Sequence, residues 1–409
     1  MEIRRLFLIA WVFAGGLAAQ QLFDSSPGSD LHFHPSDHAI LSGDTNRSDL
    51  GCRVEPLKPR LGFDLKYTAG FVVRVPAEAV APSGDALRAI FRVKALESER
   101  DPVYFQQVFW VPADSADPGS RAVFPARYVL GPGNYKVDWL MRNRRGTVCS
   151  AHWVARAPAP GHTGRLAAAA PSNLIAPYRQ DIFANEPPVP RANAAGNGLH
   201  VSVLLNLAPL DRTKFKLSSY EMESVVGMLR SLYREPSIGL FSLRAFNAID
   251  RKLVHSAQRQ SRLDFEALGS AIDSMQPGVI EAAELEKEKG ESAFLANLLN
   301  ETLGDQDPPD AVIALGPKVD REAQIPQDLL QFGADPGRLF QIAFQPTPHS
   351  HPWPGAIESA LRPHGLTVYG VTLPQDYTRA LEAMLGSIVD GEPGDNSDVA
   401  GSGISETGP

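Results

Sequence analysis

The sequence predicts two domains in series: a β-sandwich, then an α/β domain with a doubly wound, Rossmann-like sheet. Three observations predict it. Between Leu50 and Arg156, apolar residues alternate in short runs broken by turn signals, which is the period of half-buried strands. Between Leu199 and Asp390, near-continuous apolar runs alternate with stretches of helical period, as parallel strands covered on both faces require. Between the two, residues 157–197 are rich in Ala, Pro, Asn and Gly, a composition that reads as a linker, semi-rigid where proline is dense.

The chain opens with a signal-peptide pattern over residues 1–19. Arg4 and Arg5 precede an uncharged apolar run from Leu6 to Ala19, and Gly16-Leu17-Ala18 offers a small-x-small cleavage site. The run is shorter than the roughly 20 apolar residues of a helical span. Cleavage is therefore expected, with no stable membrane span afterwards and a secreted or periplasmic location; retention of the run as an anchor is the alternative. Residues 20–47 are polar and read as a disordered arm. His32, His34 and His38 stand close together there, a set able to hold a transition metal, although Pro35 and the absence of a rigid element favour a solvated tail.

The β-sandwich is assigned to residues 48–156. Phe63, Leu65, Tyr67, Phe71 and Val73 fall mostly on alternate positions, as do Ile90, Phe91 and Val93 in the next run. Val103 to Pro112 is aromatic and β-branched. Pro132-Gly133-Asn134 and Asn143-Arg144-Arg145-Gly146 are turns, with Tyr135, Val137 and Trp139 pointing to one face between them. The hairpin from Gly133 to Trp139 resembles the late strands of immunoglobulin-like bacterial modules. Cys52 and Cys149 are the only cysteines and bracket this domain. Export makes a disulfide between them the expected state, with two buried thiols as the alternative.

The α/β domain is assigned to residues 198–390, and residues 391–409, rich in Gly, Ser, Asp and Glu, to a disordered tail. Leu199 to Leu205 is the first buried strand. Ser218-x-x-Glu221 is a capping box opening a helix whose Met222, Val225, Val226, Leu229, Leu232 and Tyr233 share a face. Ile238 to Phe246 is the next strand, with Leu253-Val254 as a short partner. Asp264 caps a helix with Phe265, Leu268, Ile272 and Met275 inward; Phe294 to Leu299 mark another. Ala311 to Leu315, Leu339 to Phe344 and Leu366 to Leu373 are strands, and Pro374 starts a final helix. The charge run Glu284 to Lys289 reads as solvated. Residues 174–183 are less polar than the rest of the linker and are expected to dock on a domain.

This order of elements resembles the von Willebrand factor A-like domain, and is similar to the exported von Willebrand factor A-related proteins of acidobacteria. Val201 to Asn206 looks like that family's first strand, Val225 to Tyr233 its first helix, Gly239 to Asn247 its second strand and Asp310 to Pro317 its fourth. The resemblance implies a metal-ion-dependent adhesion site opening with Asp-x-Ser-x-Ser after the first strand. Here that place reads Asn206-Leu207-Ala208-Pro209-Leu210. The family threonine has no clear counterpart, Val279 being nearest, and Gly316-Pro317 replaces the aspartate after the fourth strand. A hard divalent cation needs several oxygen ligands, usually with carboxylates. The site therefore reads as degenerate, with no metal and no cofactor expected.

The motifs of nucleophilic, phosphate-binding and zinc chemistry are missing: there is no G-x-S-x-G, H-E-x-x-H or G-x-x-x-x-G-K. The net charge of −8 without a basic stripe argues against nucleic acid. The sequence thus predicts a non-enzymatic binding or assembly module, recognising another protein or a cell-envelope component. The alternative is an exported hydrolase or metal-dependent enzyme with a non-standard Asp/His site. Ligands of open α/β sheets bind beyond the carboxyl ends of the strands. The candidate binding residues are accordingly Asn206, Asp211, Arg212 and Asn247, with His349, His351 and Trp353 from the proline-rich loop after the Phe344 strand.

Overall fold

A computed structural model of the chain describes residues 21–23, 33–43, 45–79, 85–111, 120–160, 166, 171–191, 198–275, 290–304, 307–319, 324–331, 337–347 and 353–390. The expected signal peptide, the tail, His32 and the Glu284 to Lys289 run lie outside these residues, as do Val279 and the possible membrane anchor.

The N-terminal half is built from antiparallel sheets. One has the strands β2 (Arg53–Leu61), β3 (Tyr67–Pro76), β6 (Arg121–Leu130) and β9 (Ile175–Pro177) in that order. The other runs β1 (Gln21–Phe23), β5 (Val103–Val111), β4 (Asp85–Ala95), β7 (Gly133–Arg142) and β8 (Val148–Ala157). Their facing side chains form a shared aromatic core in which Phe71 meets Phe91 and Trp139 edge-on. Alternation decides which residues enter it: Tyr135, Val137, Trp139 and Met141 of β7 are fully buried in this core. The Tyr135 hydroxyl donates back to the Gly131 carbonyl, 2.7 Å away, and burial raises its pKa above the ordinary tyrosine value. Cys52 and Cys149 form the expected disulfide. It ties the start of edge strand β2 to edge strand β8, closing one side of the sandwich.

The C-terminal half is a six-stranded mixed sheet, ordered β12-β11-β10-β13-β14-β15. The strands are β10 (Leu199–Asn206), β11 (Ile238–Asn247), β12 (Lys252–Gln260), β13 (Ala311–Pro317), β14 (Arg338–Phe344) and β15 (Thr367–Val371). All neighbours are parallel except β11 and β12. One face packs on α2 (Ser219–Tyr233), α3 (Phe265–Asp273) and α6 (Pro374–Asp390), burying Val203, Val226, Leu229 and Leu381 together. The other packs on α4 (Gly290–Leu303) and α5 (Ala356–Leu361), around Leu204, Leu299 and Ile357. The capping box is formed: the Glu221 amide donates to Ser218 Oγ and the Ser218 amide to Glu221. Asp264 caps α3 through the Ala267 amide at 2.9 Å.

The sequence reading is corrected in three places. The described part of the arm is folded: α1 (Asp37–Ser42) lies on the outer face of the sandwich, with Ile40 and Leu41 against Ile90, Leu140 and Val148. Buried Asp37 pairs with Arg142 there, and Arg92 bridges Asp138 to the Leu41 carbonyl. Burial opposes the Asp138 charge, but His152, Arg92 and Lys136 outweigh it and hold the carboxyl below its ordinary value. Both His34 and His38 are exposed: His34 Nδ1 hydrogen-bonds Ser36 Oγ, and the His38 ring lies tilted against Phe33.

Residues 174–183 dock as expected, and the docked segment runs on to Arg191, where a linker was expected. Its β9 joins the sandwich, and residues 181–191 form a strap on the α/β domain. Ile182, Phe183 and Val189 pack against that core. Arg230 takes the carbonyls of Ile182 and Ala184. Arg191 donates to the carbonyls of Tyr233 and Glu235 at the end of α2, its guanidinium over the Tyr233 ring. The partner of β11 is a nine-residue strand, where the sequence suggested only Leu253-Val254. Among the described residues, no helix is long and apolar enough to cross a membrane.

Candidate functional site

Because β10, β11, β13 and β14 are parallel, their carboxyl ends share one rim. The four strands end at Asn206, Asn247, Pro317 and Phe344. Asn206 is buried and already engaged. Its Nδ2 donates to the Pro317 carbonyl at 2.8 Å, and its Oδ1 accepts from the Ala208 amide at 3.0 Å. It therefore staples the ends of β10 and β13 and has little left to offer a ligand.

Gly316, the penultimate residue of β13, lets that strand's end approach β10 closely. Its φ is +123°, and a β-carbon there would stand 2.5 Å from the Asn206 carbonyl oxygen. Only glycine adopts this backbone without strain, so this position is sterically closed to any side chain.

Asn247 is wholly buried. Its Oδ1 accepts from the amides of Ile249 and Asp250 at 3.0 and 3.1 Å, shaping the turn after β11; its Nδ2 has no partner among the described residues. Burial raises the Asp250 carboxyl above its ordinary value, with Lys252 opposing. Asp211 is exposed and folds back on Thr213, accepting from its hydroxyl at 2.6 Å and its amide at 3.0 Å, which lowers its pKa. Asp211 thus shapes its own turn.

Between these turns lies a shallow cleft of about 80 Å³. Ligand pockets for drug-sized molecules are about 300–1,000 Å³, so this one suits a single side chain of a larger partner. Its floor and walls are mainly apolar, from Ala208, Leu210, Ile249 and Val319. Arg212 enters from one side and pairs with Glu291 of the first turn of α4 at 3.1 Å. Lys318 enters from the other, 3.2 Å from Glu358 of α5, and donates to the Trp353 carbonyl at 3.3 Å. Glu358 is also held by Arg362 at 2.5 Å. The Trp353 ring stands at the mouth, 66 % exposed.

Of the residues expected at the rim, Arg212 and Trp353 are thus brought to one cleft. Asn206 and Asn247 shape the backbone beside it, Asp211 shapes the preceding turn, and His349 and His351 lie outside the described residues. The sequence reading missed Lys318, Glu291 and Ile249. Lys318 directly follows the β13 run, a position that the rim argument itself marks; Glu291 follows the charge run and carries no comparable local signal. Among the described residues, no three His, Cys, Asp or Glu side chains cluster as a metal site would.

No family model matches the chain, and no curated protein matches it. Solved structures align weakly. A Northeast Structural Genomics Consortium target is 14 % identical over 28 % of this chain and 92 % of its own, with a TM-score of 0.20. A β-glucuronidase of Bacteroides uniformis is 10 % identical over 64 % of this chain and 33 % of the enzyme, with a TM-score of 0.18. At such TM-scores neither alignment bears on fold or function.

Proposed function

We propose that the chain is an exported, non-catalytic binding module, pairing an immunoglobulin-like sandwich with a von Willebrand factor A-like domain whose metal site is degenerate. The sheet order supports the second assignment: numbered within the domain it is 3-2-1-4-5-6, a doubly wound order, with strand 3 antiparallel. The two-sheet partition and the Tyr135 hydroxyl bonded back to Gly131 support the first, since that corner is a hallmark of immunoglobulin-like sandwiches. The disulfide supports an oxidising compartment, secreted or periplasmic.

One observation carries the functional reading. Among the described rim residues, the side chains of Asn206, Asp211, Arg212 and Lys318 are engaged with neighbouring groups and Asn247 keeps one buried amide nitrogen without a partner, while apolar walls and an exposed Trp353 remain. Such a surface recognises by shape and apolar contact, and exposed aromatics at clefts are frequent binding hot spots. The partner is another protein or a cell-envelope component that seats one apolar side chain between Ile249 and Trp353. No metal or cofactor takes part.

The test begins with capture of the partner from the exported fraction by the full chain. Trp353→Ala and Ile249→Asp are then each expected to weaken that complex by roughly 30-fold or more, a loss of about 2 kcal/mol, with the melting temperature little changed. About 5 mM EDTA leaves both binding and melting unchanged, because only an ion bound to the native state stabilises it by mass action. A saturable rise in melting temperature with Mg²⁺ or Ca²⁺ overturns the metal-free reading; wild-type affinity in both variants overturns the cleft.

A further inference from the structure

The sandwich reaches into the α/β domain through one tight turn, Gly62 to Lys66. The Gly62 amide donates to the Lys66 carbonyl at 2.8 Å, and the Lys66 amide to Asp64 Oδ1 at 3.1 Å. Leu65 takes a φ of +59°, an unfavourable conformation for a leucine, which persists where surroundings over-determine it. The surroundings here belong to the other domain. Phe63 and Leu65 are buried in the α/β core beside Val226 and Leu229 of α2. The Phe63 ring meets Phe344, the last residue of β14, edge-on at 5.5 Å.

A charge cluster closes over this plug. Glu186 of the strap is 5 % exposed. Arg230 lies 2.6 Å from it, Arg234 3.4 Å and Lys66 3.6 Å. Arg234 also donates to the Asp64 carbonyl. Arg230 belongs to the last turn of α2 and Arg234 caps its carboxyl end; the lysine belongs to the sandwich and the carboxylate to the strap. Burial opposes the Glu186 charge, but Arg234, Lys66 and Arg230 outweigh it and keep the carboxyl below its ordinary value. Burial and the Arg234 charge also hold the Lys66 ammonium below the ordinary lysine value. The cluster therefore holds three cations around one buried carboxylate, with the Asp64 charge the other one acting on Lys66.

We infer that this turn and the Glu186 cluster form a clamp through which the sandwich fixes the carboxyl end of β14. The inference rests on no reading of the cleft. Its electrostatic logic is asymmetric. Without the Glu186 charge, Lys66 faces Arg230 and Arg234 across the domain boundary with only the Asp64 charge to offset them, and a buried ion left without its close partner is strongly destabilising. Lys66 is the sandwich's only cation in the cluster, so removing it as well takes away the repulsion between domains. Phe63 then transmits the seat of the turn directly to Phe344.

The experiment compares the full-length wild type with Glu186→Gln, with Glu186→Gln/Lys66→Met and with Phe63→Ala, by calorimetry and amide hydrogen exchange. Wild type is expected to melt in a single transition. Glu186→Gln splits that transition and speeds exchange at Leu65 and Phe344 by tenfold or more; adding Lys66→Met restores most of the protection. Phe63→Ala, with the ion cluster intact, speeds exchange at Phe344 while the strap keeps its protection. A single transition and wild-type exchange in Glu186→Gln overturn the clamp, as does a double variant no better protected than the single one. Should Glu186→Gln not fold, Phe63→Ala decides alone: unchanged exchange at Phe344 overturns the inference.

Discussion

Gly227, in the middle of α2, faces the backbone of Phe63: a β-carbon at Gly227 would come within 3.3 Å of the Phe63 carbonyl carbon and 3.1 Å of the Asp64 amide nitrogen. A glycine inside a helix costs about 1 kcal/mol relative to alanine. Here it makes the notch that admits the sandwich turn. Gly227→Leu, although a better helix former, is therefore expected to destabilise the chain by about 1–3 kcal/mol through overpacking. Chemical denaturation of the full chain measures it; a gain in stability would show that the notch is not needed.

Gly316 gives a sharper expectation. At φ +123° and 2.5 Å from the Asn206 carbonyl, even alanine adds both backbone strain, about 1–3 kcal/mol, and a steric clash. Gly316→Ala is expected to lose at least about 2 kcal/mol. Gly316→Asp, which would place an acidic group here, is expected to lose more, and to gain no response to Mg²⁺. Thermal unfolding with and without the ion reads both outcomes.

The disulfide spans a sequence separation of 97 residues. In the chain-entropy model, a loop of this size contributes about 4–5 kcal/mol. Cys52→Ala/Cys149→Ala is expected to lower the stability of the sandwich by that order, and reduction of the wild type to match it. Non-reducing peptide mapping of the natively folded chain should recover the linked pair.

Acid should loosen the domain boundary. The folded-state pKa of Glu186 is depressed, so its stabilising contribution is fully present above the unfolded carboxylate value, about 4.3, and is lost as pH falls through the lower folded value. Lys66 is also depressed. The cost of its charge is present below its folded pKa and is relieved as pH rises toward the unfolded lysine value, about 10.4. Stability should thus rise with pH on both limbs. In Glu186→Gln the acid limb should flatten, leaving Asp138, also depressed, as a remaining contributor; in Lys66→Met the alkaline gain should vanish. Melting temperature against pH, variant by variant, checks the signs.

Much of the α/β sheet was legible because its central strands are buried on both faces and so must be written as apolar runs, as in Val201 to Leu205 and Ala311 to Leu315. Strand β12 was hidden for the opposite reason. It is a sheet edge whose residues are largely exposed, so Lys252 to Gln260 reads as polar and only Leu253-Val254 stands out. The arm and the strap were hidden because long-range charge helps hold them. Asp37 is paired with a residue 105 positions away, and Glu186 of the strap with Arg230, 44 positions away; neither leaves a periodic local signal. At the rim, the positional rule found Arg212 and Trp353. It also selected Asn206 and Asn247, whose chemistry the fold consumes, because spacing alone does not say whether an amide faces a ligand or a neighbouring strand.

The strap running from Asp181 to Arg191 has a consequence for how such a chain can be inherited. The proline-dense segment between domains looks like a natural place for recombination, yet it carries Glu186 and Arg191, which finish the packing of α2. A gene fusion that joined the α/β half to a new amino-terminal module beyond Arg191 would leave behind both the strap and the Gly62 to Lys66 turn, uncovering one side of the helix. The heritable unit is therefore larger than the domain: turn, strap and α2 must travel together, or the newcomer must bring its own phenylalanine and its own carboxylate.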